Sequence, residues 1–316
     1  MAQETIGKKS WASLATKINA DDSLDTVLEN AKANYKVTLE PVQVWDTITN
    51  SVVPVKNRFV TTRENPNGAH CDHWEVVKDR YEVVQNKDIL KRARAIVDRS
   101  TDPIKLHNCG VLDDGRKFFA SIHFGNITLN SQNGDTVIDN YLIVMSSHDG
   151  SIPICYYNLD VRRGINSVYR FSSSEYDFDL RKRHTPNLKD QKIEASEALI
   201  LRKQWTLGLV DAIKVLQKPV GTSLYESTLN LVSSIEKANT KKKRDHAESV
   251  HEKIEEIYRK NYNCGQYGES RWALFNAVVE YIDFHRDIDP FDAAQHSLEI
   301  DNYSHRLKVE AFNLLK

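Results

Sequence analysis

The sequence predicts an α+β protein: an antiparallel sheet domain with flanking helices, followed by a mostly helical C-terminal region. Three observations predict it. From about Val37 to about Ser172 the chain is rich in β-branched and aromatic residues and broken by turn clusters at Glu64–Gly68, Asp113–Gly115, Gln132–Gly134 and His148–Gly150. From about Leu188 the apolar spacing becomes helical almost throughout. Hydrophobic residues are 40% of the 316, enough for a sizeable core, while 12 glycines and 8 prolines are too few for collagen-like, Pro-rich or long-linker chains.

Residues 1–36 read as an N-terminal segment in which Asp21-Asp22-Ser23 caps a helix running to about Lys36, with Leu24, Val27, Leu28 and Ala31 on one face. The sheet domain spans 37–187. Within it, Asn86 is expected to cap a helix over Lys87–Arg99 that turns Ile89, Leu90, Ala93, Ile96 and Val97 inward. Val111 to Phe119 reads as a hairpin, because Asp114-Gly115 supplies the positive φ angles of a tight turn. Tyr141 to Met145 is continuously apolar, which suits a strand covered on both faces.

The helical region, 188–316, divides into helices over 189–217, 222–238, 241–262, 270–286 and 303–315. Pro219-Val220-Gly221 separates the first two, and Asn263-Cys264-Gly265 ends the third. Trp272, Phe275, Val278, Val279 and Ile282 share helical spacing and belong in the core. Asn276 and Glu280 lie four apart and are expected to bond each other or a backbone group.

Composition narrows function mainly by exclusion. The 43 Lys and Arg balance 44 Asp and Glu, so total charge announces neither nucleic acid nor membrane. Four cysteines without a CxxC suggest reduced thiols in the cytoplasm. Met1–Leu14 lacks an apolar secretory core, and no apolar run approaches the roughly 20 residues of a membrane helix. The phosphate loop, the dinucleotide fingerprint, HExxH and GxSxG are all missing, so no cofactor is expected.

Local charge is more informative. Residues 156–193 hold 8 basic against 5 acidic groups, and 277–301 hold 1 against 7. The densest basic cluster interleaves aromatics: Arg162, Arg163, Tyr169, Arg170 and Phe171, then Arg181, Lys182, Arg183 and His184. Guanidinium forks grip phosphates, and flat rings stack on unpaired bases, so this stretch could track a single strand. A charged strand edge that resists aggregation is the plainer alternative. Arg162 and Arg170 share strand parity; Arg163 points to the other face unless the chain bends at Gly164.

Other candidates are weaker. Lys241-Lys242-Lys243-Arg244 sits at a helix start, where cations oppose the dipole; a phosphate partner or a simple exposed loop would explain it. His70-Cys71-Asp72-His73 crowds four metal-ligand types into a row, too close together for the usual zinc spacing, and reads as a polar loop. Glu175, Asp177 and Asp179 could hold Mg²⁺ beside His184, or simply pair with Arg181 and Arg183.

Four segments, in order, resemble the phage/plasmid-like family of domains of unknown function found in bacteriophage and plasmid genomes. They are Asp79-Arg80-Tyr81-Glu82-Val83-Val84-Gln85-Asn86, Ser147-His148-Asp149-Gly150-Ser151, Arg183-His184-Thr185-Pro186-Asn187, and Trp272 to Asp283. Family members often carry Cys-x-Asn where this chain has Gly164-Ile165-Asn166, so Asn166 is kept and the thiol is not. The resemblance implies a setting in mobile-element DNA metabolism rather than a reaction, and it adds Arg80 and Asn166 to the candidate contacts.

The leading expectation is therefore a non-catalytic protein that binds and anneals single-stranded DNA in recombination. By analogy with phage annealing proteins, a homo-oligomer is a possibility. Its contacts are expected at Arg80, Arg162, Arg163, Asn166, Tyr169, Arg170, Arg181, Lys182, Arg183 and His184. One alternative is a metal-dependent nuclease using Glu175, Asp177, Asp179 and His184. Another is an interaction protein that blocks a host defence through the acidic 277–301 segment.

Overall fold

The computed structural model describes residues 10–64, 71–129, 135–169, 180–186, 195–299 and 302–316. The larger sheet is built from β1 (Thr16–Lys17), β5 (Lys105–Leu112), β6 (Lys117–Leu129), β7 (Thr136–Ser147), β8 (Ile154–Arg162) and β10 (Leu180–Lys182), hydrogen-bonded in that order. The short β9 (Val168–Tyr169) also pairs with β8. The smaller sheet has the order β2 (Lys36–Asp46), β3 (Ser51–Glu64), β4 (Cys71–Lys78). All these pairings are antiparallel, as the short turns require.

Turn chemistry sets the register where it was readable. Leu112 pairs with Lys117 across a turn in which Asp113, Asp114 and Gly115 all take positive φ, at 49°, 53° and 90°. Gly115 is needed for space as well as angle. A Cβ there would lie 2.7 Å from Arg63 Nη1 and 2.9 Å from the Tyr35 hydroxyl.

The central strands β7 and β8 are buried almost along their length, so their apolar runs have helices or loops on both faces. On one face, α1 (Leu24–Asn30) and α2 (Asn86–Arg99) pack on Phe118, Ala120, Ile122, Leu142, Val144 and Tyr156. On the other, Trp11 and Leu298 of α7 (Pro290–Leu298) meet Phe119, Ile143, Met145, Tyr157 and Leu159. A third core forms among α3 (Ala195–Leu216), α4 (Thr222–Ser233), α5 (Lys241–Arg259), α6 (Arg271–Phe284) and α8 (Tyr303–Leu315), and it takes in Ile138 and Tyr169 from the sheet. Every residue of α6 after Arg271 is buried, Trp272 completely, so this helix is an axle rather than an amphipathic surface element.

Polar bonds also cross between sheet and helices: Tyr157 donates to the Leu298 carbonyl at 2.7 Å, and Lys308 to that of Val168 at 2.8 Å. The described helices from Ala195 onward thus share core and polar contacts with the sheet.

Several elements depart from expectation. Ser23 caps α1, its Oγ accepting from Thr26 N at 3.1 Å, but the helix ends at Asn30 because Lys32 takes φ 54° and redirects the chain into β2. Gln85, not Asn86, is the N-cap of α2, and Asn86 lies inside the helix with its amide occupied elsewhere. The helix α7 was not anticipated, although Asp289 caps it and Pro290 opens it, a regular start signal. Among its described residues the acidic 277–301 segment presents no continuous acidic face: Glu280 and Asp283 are buried, and Glu299 accepts from Lys117. No helix of the described residues is long and apolar enough to cross a membrane.

Candidate functional site

The chain positions proposed for DNA contact separate into two groups. Lys182 pairs with Ile154, at the opposite end of β8 from Arg162, and eight residues at about 3.3 Å each put the two regions roughly 26 Å apart. One groove does not serve both.

The Arg162 group is structural. Arg162 is 3% exposed; its Nη1 donates to Asn263 Oδ1 at 2.8 Å and to Asn276 Oδ1 at 3.1 Å, and its Nη2 donates to the Tyr262 carbonyl. Tyr169 is wholly buried, and its hydroxyl also donates to Asn276 Oδ1. Asn276 in turn donates to the Trp272 carbonyl at 2.7 Å, so it bonds the backbone and not Glu280. Glu280 instead accepts from the Tyr262 hydroxyl at 2.7 Å. Arg162 and Tyr169 cannot reach a nucleic acid.

Arg163, the first residue of the turn after β8, is exposed and grips Asp139 with Nε at 3.0 Å and a second bond from Nη2. Its charge is already partnered. Asn166 takes φ 65° and its N–H closes a turn onto the Arg162 carbonyl at 2.8 Å, so it serves as a turn residue. Arg170, Phe171, Glu175, Asp177 and Asp179 lie outside the described residues.

The second group forms a corner. Residues 79–86, 147–151 and 183–184 come together where β7 ends and α2 begins. Tyr81 and His184 stack with ring centroids 4.9 Å apart and planes at 16°. Their segments are tied in both directions: Glu82 N donates to the His184 carbonyl at 3.4 Å, and His184 Nδ1 donates to the Glu82 carbonyl at 3.0 Å. The Tyr81 hydroxyl donates to the Ser147 carbonyl at 3.0 Å, and His184 Nε2 meets Ser146 Oγ at 3.2 Å.

His148 anchors the floor. Asn86 Nδ2 donates to the Ala33 carbonyl at 2.9 Å, which turns Asn86 Oδ1 toward His148 Nε2 at 2.8 Å and makes that nitrogen the donor. Trp74 stacks on the imidazole at 5.6 Å, and the Arg63 guanidinium lies over the rings of Tyr35 and Trp74 while pairing with Asp72. Gln85 clamps Val37, donating to its carbonyl at 2.9 Å and accepting from its N–H at 3.1 Å.

Burial, with the neighbouring His184, pulls the His148 pKa down to about 4, and burial lowers that of His184 as well. Burial and the Asp149 charge push the Tyr81 phenol up. All three side chains are therefore uncharged near neutral pH. The charges sit on the rim: Lys78, Arg80, Arg181 and Arg183 are exposed, and Lys182 is half-buried. Arg80 falls in the turn after β4 rather than in the strand itself.

Above about pH 6.5 His148 is neutral in both folded and unfolded chains, so it contributes no pH dependence. As the pH falls toward 4 only the unfolded chain takes the proton, and stability drops by about 1.4 kcal/mol per pH unit from this one group. Denaturation curves between pH 6.5 and 4 should flatten by nearly one proton in His148→Gln. An unchanged slope would mean that another group titrates.

The remaining sequence candidates have structural roles or open positions. Lys241, Lys242, Lys243 and Arg244 form the exposed first turn of α5, which Thr240 caps by accepting from Lys243 N at 3.3 Å. His73 is exposed on β4 and bonds Thr62, and Asp72 is held by Arg63. Among the described residues, no group of three His, Cys, Asp or Glu side chains is arranged to hold a metal ion. Sequence reasoning missed His148, Asn86 and Trp74 as one unit, because each contact joins segments far apart in the chain.

A family model described as a domain of unknown function (DUF932) matches residues 73–308. No curated protein and no solved structure matches the chain.

Proposed function

The chain belongs to the DUF932 family, and on that premise we infer that it binds single-stranded DNA through the corner where Tyr81 stacks on His184. One observation carries the reading. The tie between Glu82 and His184, one bond from the backbone and one from the imidazole, holds together the two segments that carry Arg80 and Arg183, both exposed, next to the edge strand that carries Arg181. Their support is uncharged at Tyr81, His148 and His184, with the half-buried Asp149 beside it and the exposed Arg80 and Arg183 on the rim. Guanidinium groups fixed in this way suit backbone phosphates, which supply most of the affinity in sequence-independent binding.

The reading keeps a non-catalytic role in the DNA metabolism of a phage or plasmid, within the host cytoplasm, with annealing as the step served. It moves the contact surface away from Arg162 and Tyr169 to Lys78, Arg80, Arg181, Lys182 and Arg183. Fluorescence anisotropy of a labelled oligothymidine at several salt concentrations tests it. Each lost phosphate contact should reduce the slope of log affinity against log salt by about 0.7 for a single strand. Arg80→Ala/Arg183→Ala should therefore weaken binding and flatten the slope by about 1.4. No binding by the unaltered protein would end the proposal.

A further inference from the structure

We propose that the ribbon formed by the ends of β2 and β3 is an oligomerisation arm that buries itself against a second copy of this chain. β4 pairs with β3 only over Arg58–Glu64, so residues 42–55 form a two-stranded extension in which each strand has the other as its sheet neighbour. Trp45 lies opposite Val52 on one face, and Val44 opposite Val53 on the other. Both faces are thus apolar. Val44, Trp45 and Val52 are 48%, 59% and 55% exposed, and Ile48 at the tip is 93% exposed.

The tip is shaped rather than loose. Asp46 Oδ1 accepts from Ile48 N at 2.8 Å, its Oδ2 accepts from the Thr49 hydroxyl at 2.9 Å, and Asn50 takes φ 51° to reverse the chain. A lone two-stranded hairpin is marginal in water, and a ribbon apolar on both faces cannot bury either by itself. These four side chains leave on the order of 400 Å² of apolar surface in water, spread over both faces and the tip, within the range of the largest patch on an ordinary monomer.

The chemistry points to a copy of the same chain. Within 42–55 the one charged residue is Asp46, and its carboxylate is used by its own turn. A nucleic acid would find no cation there, whereas charge depletion is what the core of a protein–protein interface shows. A specific interface takes about 800 Å² from each partner, about twice what these four side chains supply, so the polar residues of the ribbon join the contact. The same chain also offers a seat. Ile200 and Leu207 on α3 are 57% and 64% exposed and lie seven residues apart on one helix face, with the exposed Lys203 between them. An arm from one copy on the α3 face of the next is a head-to-tail contact, which closes into a ring when the rotation allows.

Sedimentation velocity of the full chain, from dilute to concentrated, tests this without any DNA. The intact protein should sediment as an oligomer. Trp45→Thr/Ile48→Thr, which keeps β-forming residues, should sediment at the monomer mass with an unchanged circular dichroism spectrum and midpoint of thermal unfolding. Leu207→Glu should do the same, and a mixture of the two variants should give a dimer that grows no further, because the intact arm of one meets the intact α3 face of the other. An intact chain that is monomeric throughout, or an arm variant that stays oligomeric, overturns the proposal. Flotation of the intact chain as a monomer on phosphatidylcholine vesicles, lost in the arm variant, would overturn it in favour of a membrane surface.

Discussion

Arg162→Ala should lower the free energy of unfolding by about 3–5 kcal/mol while leaving the salt dependence of DNA binding unchanged in whatever remains folded. The guanidinium fills a polar slot between β8, the turn at 261–265 and α6, where Asn263, Asn276 and the Tyr262 carbonyl all accept from it. Removing it leaves buried acceptors with lost partners, each costing about 1–3 kcal/mol, and adds a cavity. Arg162→Lys should recover little, since one ammonium on a flexible stem cannot reproduce the two-nitrogen fork. Urea denaturation measures the first effect. A loss below about 1 kcal/mol would put Arg162 back at the surface.

Asp160→Ala should cost a comparable 3–5 kcal/mol, for an electrostatic reason. Asp160 is fully buried and accepts from Asn140 Nδ2 at 2.7 Å, Trp205 Nε1 at 2.6 Å and Arg202 Nη2 at 3.2 Å. Burial pulls the Arg202 guanidinium below its ordinary pKa and Asp160 opposes that pull, so the substitution strands a buried cation. Arg202→Met added to Asp160→Ala should then restore part of the lost stability, because the uncompensated charge leaves with it. Strict additivity of the two changes in a double-mutant cycle would contradict the pairing.

How far the sequence could be read follows from how local each cause is. The Asp113–Gly115 hairpin was legible because its backbone angles are set by the turn residues themselves. The core assignment of Trp272, Phe275, Val278, Val279 and Ile282 followed from helical spacing alone, and all five are buried. The helix α7 was missed although Asp289-Pro290 announces it, because its surroundings read as an acidic run. Arg162 and Tyr169 carried the composition of a phosphate groove. Their burial is imposed by Asn263 and Asn276, about a hundred residues later, and no local pattern encodes that. The quoted segments were recognisable one by one. Their meeting was not, since His148 joins Asn86 across 62 residues and His184 joins Ser146 across 38.

The central claim is that the corner around Tyr81 and His184, rather than the Arg162 end of the sheet, faces the nucleic acid. Photo-crosslinking of a single-stranded oligonucleotide carrying reactive thymines, followed by mass spectrometry of the adducts, asks this directly. The account predicts crosslinked peptides containing residues 78–82 and 180–186, with none over 160–169. Adducts confined to 241–244, or to the stretch around Arg162, would contradict it.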